Sequence, residues 1–149
     1  MGKPAPADLA MAIQWLGPGT VFRQIRIDVH GIVGHPRSTV TIERTQIGNN
    51  VVLHVAGRMD AENAVLFERQ CESCISEGIT GLVVDLKDLK YVSSMGLRSF
   101  VVIAQKLREK GGDLQICRLT GLVQQVFEIT RLNQVLHLHD SLESALIGS

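Results

Sequence analysis

The chain is poor in the features that mark several large classes of protein. Its 149 residues include 3 cysteines, a small and odd number that excludes a disulfide framework and favours a reducing, cytoplasmic compartment. Lys+Arg and Asp+Glu both total 15, so no net charge points to nucleic acid or a membrane surface as a partner. No apolar run approaches the ~20 residues of a membrane span, so we expect no membrane insertion.

Metal or redox chemistry also has little support. Cys71 and Cys74 form a C-x-x-C pair, but they fall within a predicted helix and lack a second Cys/His pair at metal-binding spacing. We interpret them as core or surface packing residues. His54, His137 and His139 alternate with strand residues, so we interpret them as facing solvent rather than binding metal. No cofactor is predicted.

What the chain does contain is an alternation of strand and helix patterns. Strands are predicted at Val40–Thr45, Val51–Val55, Leu82–Val84, Leu114–Cys117 and Val135–Leu138. Helices are predicted at Ala64–Ile75, from Gly96 to about Lys110, at Gly121–Thr130 and after Ser141. Such alternation predicts an α/β fold with a mostly parallel sheet covered by helices.

The segment Val83–Leu97, VVDLKDLKYVSSMGL, places paired serines between a buried strand and a helix. Ser94 therefore lies within about one turn of a helix N-terminus. One interpretation is an N-cap, whose hydroxyl satisfies a backbone amide and contributes about 1 kcal/mol. The other is a phosphoacceptor. A helix N-terminus tolerates added negative charge, and a phosphate there would greatly change the charge of the surrounding surface.

The same segment carries a family resemblance. DLKDLKYVSSMGL is similar to the signature of the STAS family (sulfate transporter and anti-sigma factor antagonist domains), and GRMDAENAVLFE from Gly57 to Glu68 resembles its strand-to-helix loop. A third similarity covers Lys110–Leu136. Together these motifs span about Ser38–Leu146, which implies a STAS domain at residues 38–149 with a four- to five-stranded sheet.

Residues 1–37 lie outside the resemblance. Their first residues are rich in proline and alanine, which predicts partial disorder, and Val21–Val33 alternates enough to allow an extra strand. This N-terminal extension could be a partner-binding arm or the product of a mis-set translation start, and the sequence supports both. The short apolar stretch lacks the pattern of a signal peptide.

The resemblance also implies site residues. In the antagonist branch of the family, the serine after a usual aspartate is phosphorylated, and that position corresponds to Ser94. Ser93 replaces the aspartate and is a secondary phosphoacceptor candidate, while Met95 replaces a small or hydroxyl residue. The expected partner-binding residues are Asp60, Asn63, Met95, Gly96, Leu97 and Arg98.

The implied function is an anti-sigma factor antagonist that works as a phosphorylation-controlled binding switch. Unphosphorylated, it would sequester an anti-sigma factor that is also a serine kinase; a serine phosphatase is a further candidate partner. The chain itself is not expected to be an enzyme, because no Gly-rich phosphate loop or nucleophile–base pair appears. The alternative is a phosphorylation-independent STAS scaffold or transport-complex subunit, in which Ser94 only caps its helix.

Overall fold

The computed structural model describes residues 24–29 and 40–148. The strands of this part of the chain are β1 (Gln24–Val29), β2 (Val40–Ile47), β3 (Asn50–Met59), β4 (Gly81–Asp85), β5 (Leu89–Val92), β6 (Asp113–Cys117) and β7 (His137–His139). Its α-helices are α1 (Ala61–Ser76), α2 (Ser94–Glu109), α3 (Gly121–Ile129) and α4 (Leu142–Gly148). A short 3₁₀ helix spans Leu132–Gln134. None of these helices is both long and apolar enough to cross a bilayer.

The strands form one sheet in the order β1-β2-β3-β4-β6-β7, and β5 pairs with β3 beyond the end of β4. The pairs β1–β2 and β2–β3 are antiparallel, whereas β3–β4, β3–β5, β4–β6 and β6–β7 are parallel. The prediction of an α/β fold with a mostly parallel, helix-covered sheet is confirmed.

The hydrophobic core has a part on each face of the sheet. On one face, Phe100 contacts both Phe67 and Phe127, with ring centroids 5.1 and 5.5 Å apart. On the other face, α4 packs on the sheet through residues that include Leu142, against a cluster that includes Val83. Successive strand residues point to opposite faces, so the continuous apolar run of β4 supplies both parts of the core.

The number of strands differs from the prediction: the described sheet has seven, not four or five. β5 was missed because its four residues include the exposed Lys90 and show no apolar run. Its pairing with β3 follows a register shift at Gly57, whose φ of 99° suits glycine. β1 lies within Val21–Val33, where the sequence allows an extra strand; the rest of residues 1–37 lies outside the described residues. The boundary between residues 37 and 38 stays a prediction.

Gly112 lies where the start of β6 passes close to the backbone before β4. A Cβ atom there would lie 2.2 Å from the carbonyl oxygen of Thr80, an atom that cannot rotate away. We expect Gly112→Ala to lower the free energy of unfolding by about 2 kcal/mol, measured by urea denaturation. The exposed neighbour Lys110 provides a control, because Lys110→Ala should cost less than about 0.5 kcal/mol. Equal effects of the two substitutions would contradict the crowding argument.

Candidate functional site

The candidate site lies where two neighbouring parallel strands end. Met59, the last residue of β3, stands opposite Val92, the last residue of β5. The backbone N–H of Ser93 donates to the carbonyl oxygen of Met59 at 2.8 Å. The strands therefore bring Asp60 and Ser93 next to each other, and each residue immediately precedes a helix.

Both residues cap the helices that follow them. Ser93 has extended backbone angles, φ −85° and ψ 171°, and its Oγ accepts a hydrogen bond from Gly96 N at 3.2 Å. Asp60 accepts one from Asn63 N at 2.9 Å. The interpretation of Ser94 as the N-cap is therefore wrong. Two adjacent serines are chemically equivalent in the sequence, and only backbone conformation decides which one caps.

Ser94 is the first helical residue of α2, and its side chain is exposed. Its hydroxyl makes no hydrogen bond to any of the described residues. Met95 is 40% exposed, and Arg98, one turn after Ser94, is also exposed. Leu97 is half-buried and packs against the main core. The start of α2 thus presents a free hydroxyl, an apolar side chain and a cation on one surface.

Two of the expected partner-binding residues are buried instead. Asn63 is 2% exposed, and its Nδ2 donates to the carbonyl oxygen of Arg58 at 2.9 Å. Gly96 is buried so closely that a Cβ atom would lie 2.7 Å from Val92 Cγ2 and 3.1 Å from Met59 Cγ. These two residues hold the loop and helix in place, and the accessible part of the site comes from their neighbours.

A neighbouring apolar residue was missed by the sequence analysis. Glu68 of α1 and Ser99 of α2 lie side by side, with 2.6 Å between Glu68 Oε2 and Ser99 Oγ. One turn earlier on each helix stand Val65 and Met95, which are 45% and 40% exposed. Since α1 and α2 are parallel neighbours, these two side chains extend the surface beside Ser94. The signal that could have found Val65 is its position off the buried face of a predicted amphipathic helix.

A second missed residue is Arg58, which is exposed near the end of β3. Its guanidinium carbon lies 4.4 Å from the ring centroid of Tyr91, its partner in β5, a cation–π contact. The contact holds a positive charge at the same end of the sheet as Asp60. Nothing in the sequence could indicate it, because it depends on the pairing of β3 with β5.

Asp85, the last residue of β4, is a buried acid near this end of the sheet. The residue is 1% exposed, and its carboxylate lies 2.6 Å from His54 Nδ1 and accepts a hydrogen bond from Arg118 Nε at 3.0 Å. Burial alone would raise the pKa of Asp85, but the hydrogen bonds from His54 and Arg118 outweigh it and lower the pKa to about 2. The carboxylate is thus a structural anion rather than a contact residue.

This buried cluster connects elements far apart in the chain. Lys87 N, in the turn before β5, donates to Asp85 Oδ1 at 3.2 Å, and Arg118 N donates to the carbonyl oxygen of His139 at 3.0 Å. Arg118 has a φ of 60°, a conformation that residues other than glycine seldom adopt. The cluster fixes the turn that leads into β5 and therefore the position of the serine loop.

The histidines and cysteines divide into surface and interior groups. The prediction that all three strand histidines face solvent is wrong for His54, which is half-buried against Asp85, and for His139, whose Nε2 lies 2.5 Å from Gln115 Oε1. His137 is exposed. Cys71 and Cys74 are buried in the main core, and burial raises the pKa of both thiols, in keeping with a packing role.

The two serines should differ in their effect on stability. We expect Ser93→Ala to lower the free energy of unfolding by about 1 kcal/mol, because the amide of Gly96 loses its side-chain acceptor. Ser94→Ala should change it by less than about 0.5 kcal/mol, since the hydroxyl is exposed. Urea denaturation of both variants measures the difference. A larger loss for Ser94→Ala than for Ser93→Ala would refute the assignment of the cap.

Solved structures share this fold. A crystal structure of an anti-sigma factor antagonist from Mycobacterium paratuberculosis superimposes with a TM-score of 0.69 at 22% identity, over 77% of this chain and 97% of that one. The unphosphorylated form of the anti-sigma factor antagonist SpoIIAA superimposes with a TM-score of 0.58 at 16% identity, over 72% of this chain and 94% of that one. At these identities the likeness concerns the fold.

Sequence comparison gives the family. BtrV of Bordetella bronchiseptica, whose name assigns it provisionally as an anti-sigma factor antagonist, is 31% identical over 100 residues, which are 67% of this chain and 86% of BtrV. The anti-sigma-B factor antagonist of Bacillus subtilis is 25% identical over 99 residues, 66% of this chain and 90% of the relative. The family model for the STAS domain matches residues 41–145. The chain belongs to the STAS domain family.

Proposed function

We propose that the protein is an anti-sigma factor antagonist whose binding to its partner is controlled by phosphorylation of Ser94. The observation that supports this most directly is that the two adjacent serines have different structural roles. Ser93 caps α2 through Gly96 N, so Ser94 is exposed and its hydroxyl is unbonded within the described part of the chain. A kinase can reach this hydroxyl without unfolding the helix.

The surface around Ser94 suits a protein partner when the serine is unmodified. Met95 and Val65 offer exposed apolar area, while Arg98 and Asp60 add charges of both signs at its border. Apolar side chains at the centre and charges at the rim are typical of protein interfaces. The proposed partner is an anti-sigma factor, in keeping with the names of the relatives, and we propose that it is also a serine kinase.

Phosphorylation would weaken this interface by electrostatics and desolvation. A phosphoserine carries roughly −1.5 to −2 charges at pH 7, and burying it against a surface that evolved for a neutral hydroxyl is costly. The helix N-terminus tolerates the charge, so the fold itself is expected to persist. The protein acts as a phosphoacceptor and performs no catalysis; ATP and Mg²⁺ belong to the kinase. A serine phosphatase would restore binding, and the exchange would take place in the cytoplasm.

Ser93 is the secondary candidate acceptor, and it stands where the family has an aspartate. Its hydroxyl accepts the hydrogen bond of Gly96 N and is half-buried. Phosphorylation there would replace the cap and change the entry into α2. The geometry therefore favours Ser94 over Ser93 as the phosphoacceptor.

The test begins with identification of the partner and of the modified residue. Immobilised Ser94→Ala and Ser94→Asp proteins are exposed to a lysate of the source organism, and the proteins they retain are identified by mass spectrometry. The retained kinase is then incubated with wild-type protein and ATP, and the phosphorylated residue is mapped. We expect a serine kinase held by the Ala form, released by the Asp form, and phosphate on Ser94.

Two other outcomes of this experiment would contradict the proposal. The same partners on both variants, with no phosphate transferred, would favour a phosphorylation-independent STAS scaffold or transport-complex subunit. Phosphate on Ser93 alone would move the switch to the capping residue. The Ser93→Ala variant distinguishes these outcomes, because it removes the secondary acceptor and leaves Ser94 in place.

A further inference from the structure

The outer edge of β1, on the side away from β2, has no role in the proposed function. β1 precedes residues 41–145, which the family model matches. Within the described part of the chain it pairs with β2 alone, from Gln24 opposite Thr45 to Val29 opposite Val40. A strand paired on one side presents backbone N–H and C=O groups on the other, and these can pair with a strand of another chain.

We propose that this edge binds β1 of a second copy of the same protein, so that two sheets join across a two-fold axis. Closed two-fold pairing is the commonest way in which identical chains associate. The argument for this occupant is the register that the backbone allows and the charges that this register places opposite each other.

Backbone geometry restricts the register. In an antiparallel pair, the N–H and C=O groups of one residue point to the partner strand, and those of the next residue point away. Every second residue of β1 is turned to β2, so a residue can face only one of the same class in the second copy. In a two-fold pair of six-residue strands, the two longest overlaps that obey this rule are centred on Arg26 or on Ile27.

The charges select between these two registers. Centring on Arg26 places that arginine opposite its own copy, and like charges directly opposite each other destabilise an antiparallel pair. Centring on Ile27 places Arg26 opposite Asp28 of the second copy, twice by symmetry, and Ile25 opposite Val29. Opposite charges then face each other and apolar residues face apolar residues. The six-residue sequence QIRIDV is therefore self-complementary in one allowed register.

Charge reversal tests the proposal directly. In the full chain, Arg26→Asp places two carboxylates opposite each other across the interface, and Asp28→Arg places two guanidinium groups there. Each variant alone should therefore dimerise at least about tenfold more weakly than wild type. An equal mixture of the two variants restores opposite charges at both positions. We expect analytical ultracentrifugation over a concentration series to show dimers of wild type, monomers of each variant, and heterodimers in the mixture.

A control separates this effect from damage within one chain. Arg26 also stands opposite Glu43 of β2, so Arg26→Asp places two acids opposite each other in the same sheet. Glu43→Gln removes the charge opposite Arg26 and leaves the sequence of β1 unchanged, so it should leave dimerisation within about twofold of wild type. If Arg26→Asp acted only by detaching β1, mixing it with Asp28→Arg would restore nothing, and the proposal would be overturned.

A cross-link gives an independent reading of the register. Ile27→Cys places one thiol opposite its copy at the two-fold axis, whereas Ile25→Cys stands opposite Val29 and has no facing thiol. Since Cys71, Cys74 and Cys117 are buried, mild oxidation should give a covalent dimer of Ile27→Cys and not of Ile25→Cys. A wild-type chain that stays monomeric at every concentration, or a dimer that neither reversal weakens, would overturn the proposal. The inference is independent of the proposed function, because the residues substituted to test it are not among those assigned to the surface around Ser94.

Discussion

A Ser94→Asp variant is expected to bind the proposed partner, an anti-sigma factor with serine kinase activity, at least about thirtyfold more weakly than wild type, which corresponds to about 2 kcal/mol. The reason is that a carboxylate at the first position of α2 must lose its water when the partner covers Met95 and its neighbours. Ser94→Ala should bind as tightly as wild type and stay bound in the presence of ATP. Isothermal titration calorimetry with the purified partner measures both values.

The matched control places the same charge at the other end of the fold. Ser73 is exposed near the C-terminal end of α1, away from the strand ends that carry Ser94. Ser73→Asp changes the net charge equally, so it should leave the affinity within about twofold of wild type if the effect is local. Equal affinities of Ser94→Ala and Ser94→Asp would refute the switch, and equal weakening by Ser73→Asp would replace it with a long-range charge effect.

Asp85→Asn is expected to lower the free energy of unfolding by about 3 kcal/mol at pH 7. The substitution preserves the shape of the side chain but removes the charge that compensates the largely buried guanidinium of Arg118. Removal of one partner from a buried ion pair is among the most destabilising single changes. Urea denaturation followed by circular dichroism measures the loss.

The difference in stability between wild type and Asp85→Asn should also depend on pH, in a direction set by the pKa of Asp85. The pKa of Asp85 is lowered in the folded protein to about 2, from an ordinary value of 3.8. A lowered pKa means that the ionised form stabilises the fold. This contribution, about 2 kcal/mol, is fully present above pH ~4 and is lost as the pH falls through about 2. The gap in stability between wild type and Asp85→Asn should therefore narrow between pH ~4 and pH ~2.

Asp88 provides the control for the same turn. Its side chain is exposed, so Asp88→Asn should change stability by less than about 0.5 kcal/mol at any pH in this range. A gap for Asp85→Asn that stays constant down to pH ~2 would mean that the carboxylate is not the source of the stabilisation. A loss of equal size for Asp88→Asn would show that the turn, rather than the buried charge, is responsible.

Local sequence was sufficient for the elements with a strong hydrophobic period. β4 was predicted from its unbroken apolar run, and the body of α2 was predicted from apolar residues that recur from Leu97 to Leu107. These patterns are reliable because burial on both faces of a strand, or along one stripe of a helix, demands them. β5 lacked such a pattern, and its existence depends on hydrogen bonds to β3 that no local rule can indicate.

The candidate site was likewise predicted only in part from the sequence. The resemblance of DLKDLKYVSSMGL to the family signature indicated the segment and the two serines, but it could not show that Asn63 and Gly96 are buried. Burial depends on which side chains of other elements pack against a residue. Arg58 and Val65 were missed for the complementary reason, since both become neighbours of the site only when the strands and helices are assembled.

The sequence alone specifies the alternation of strands and helices, the apolar faces that form the core, and the helix start that carries the serines, because these depend on residues close together in the chain. Which serine caps the helix and which charge is buried depend instead on contacts between elements that are distant in the chain. Asp85 meets Arg118 33 residues away, and Ser93 N meets Met59 across neighbouring strands. Such contacts form only when the chain closes on itself, so their energies, and the free hydroxyl of Ser94 that results, are properties of the fold.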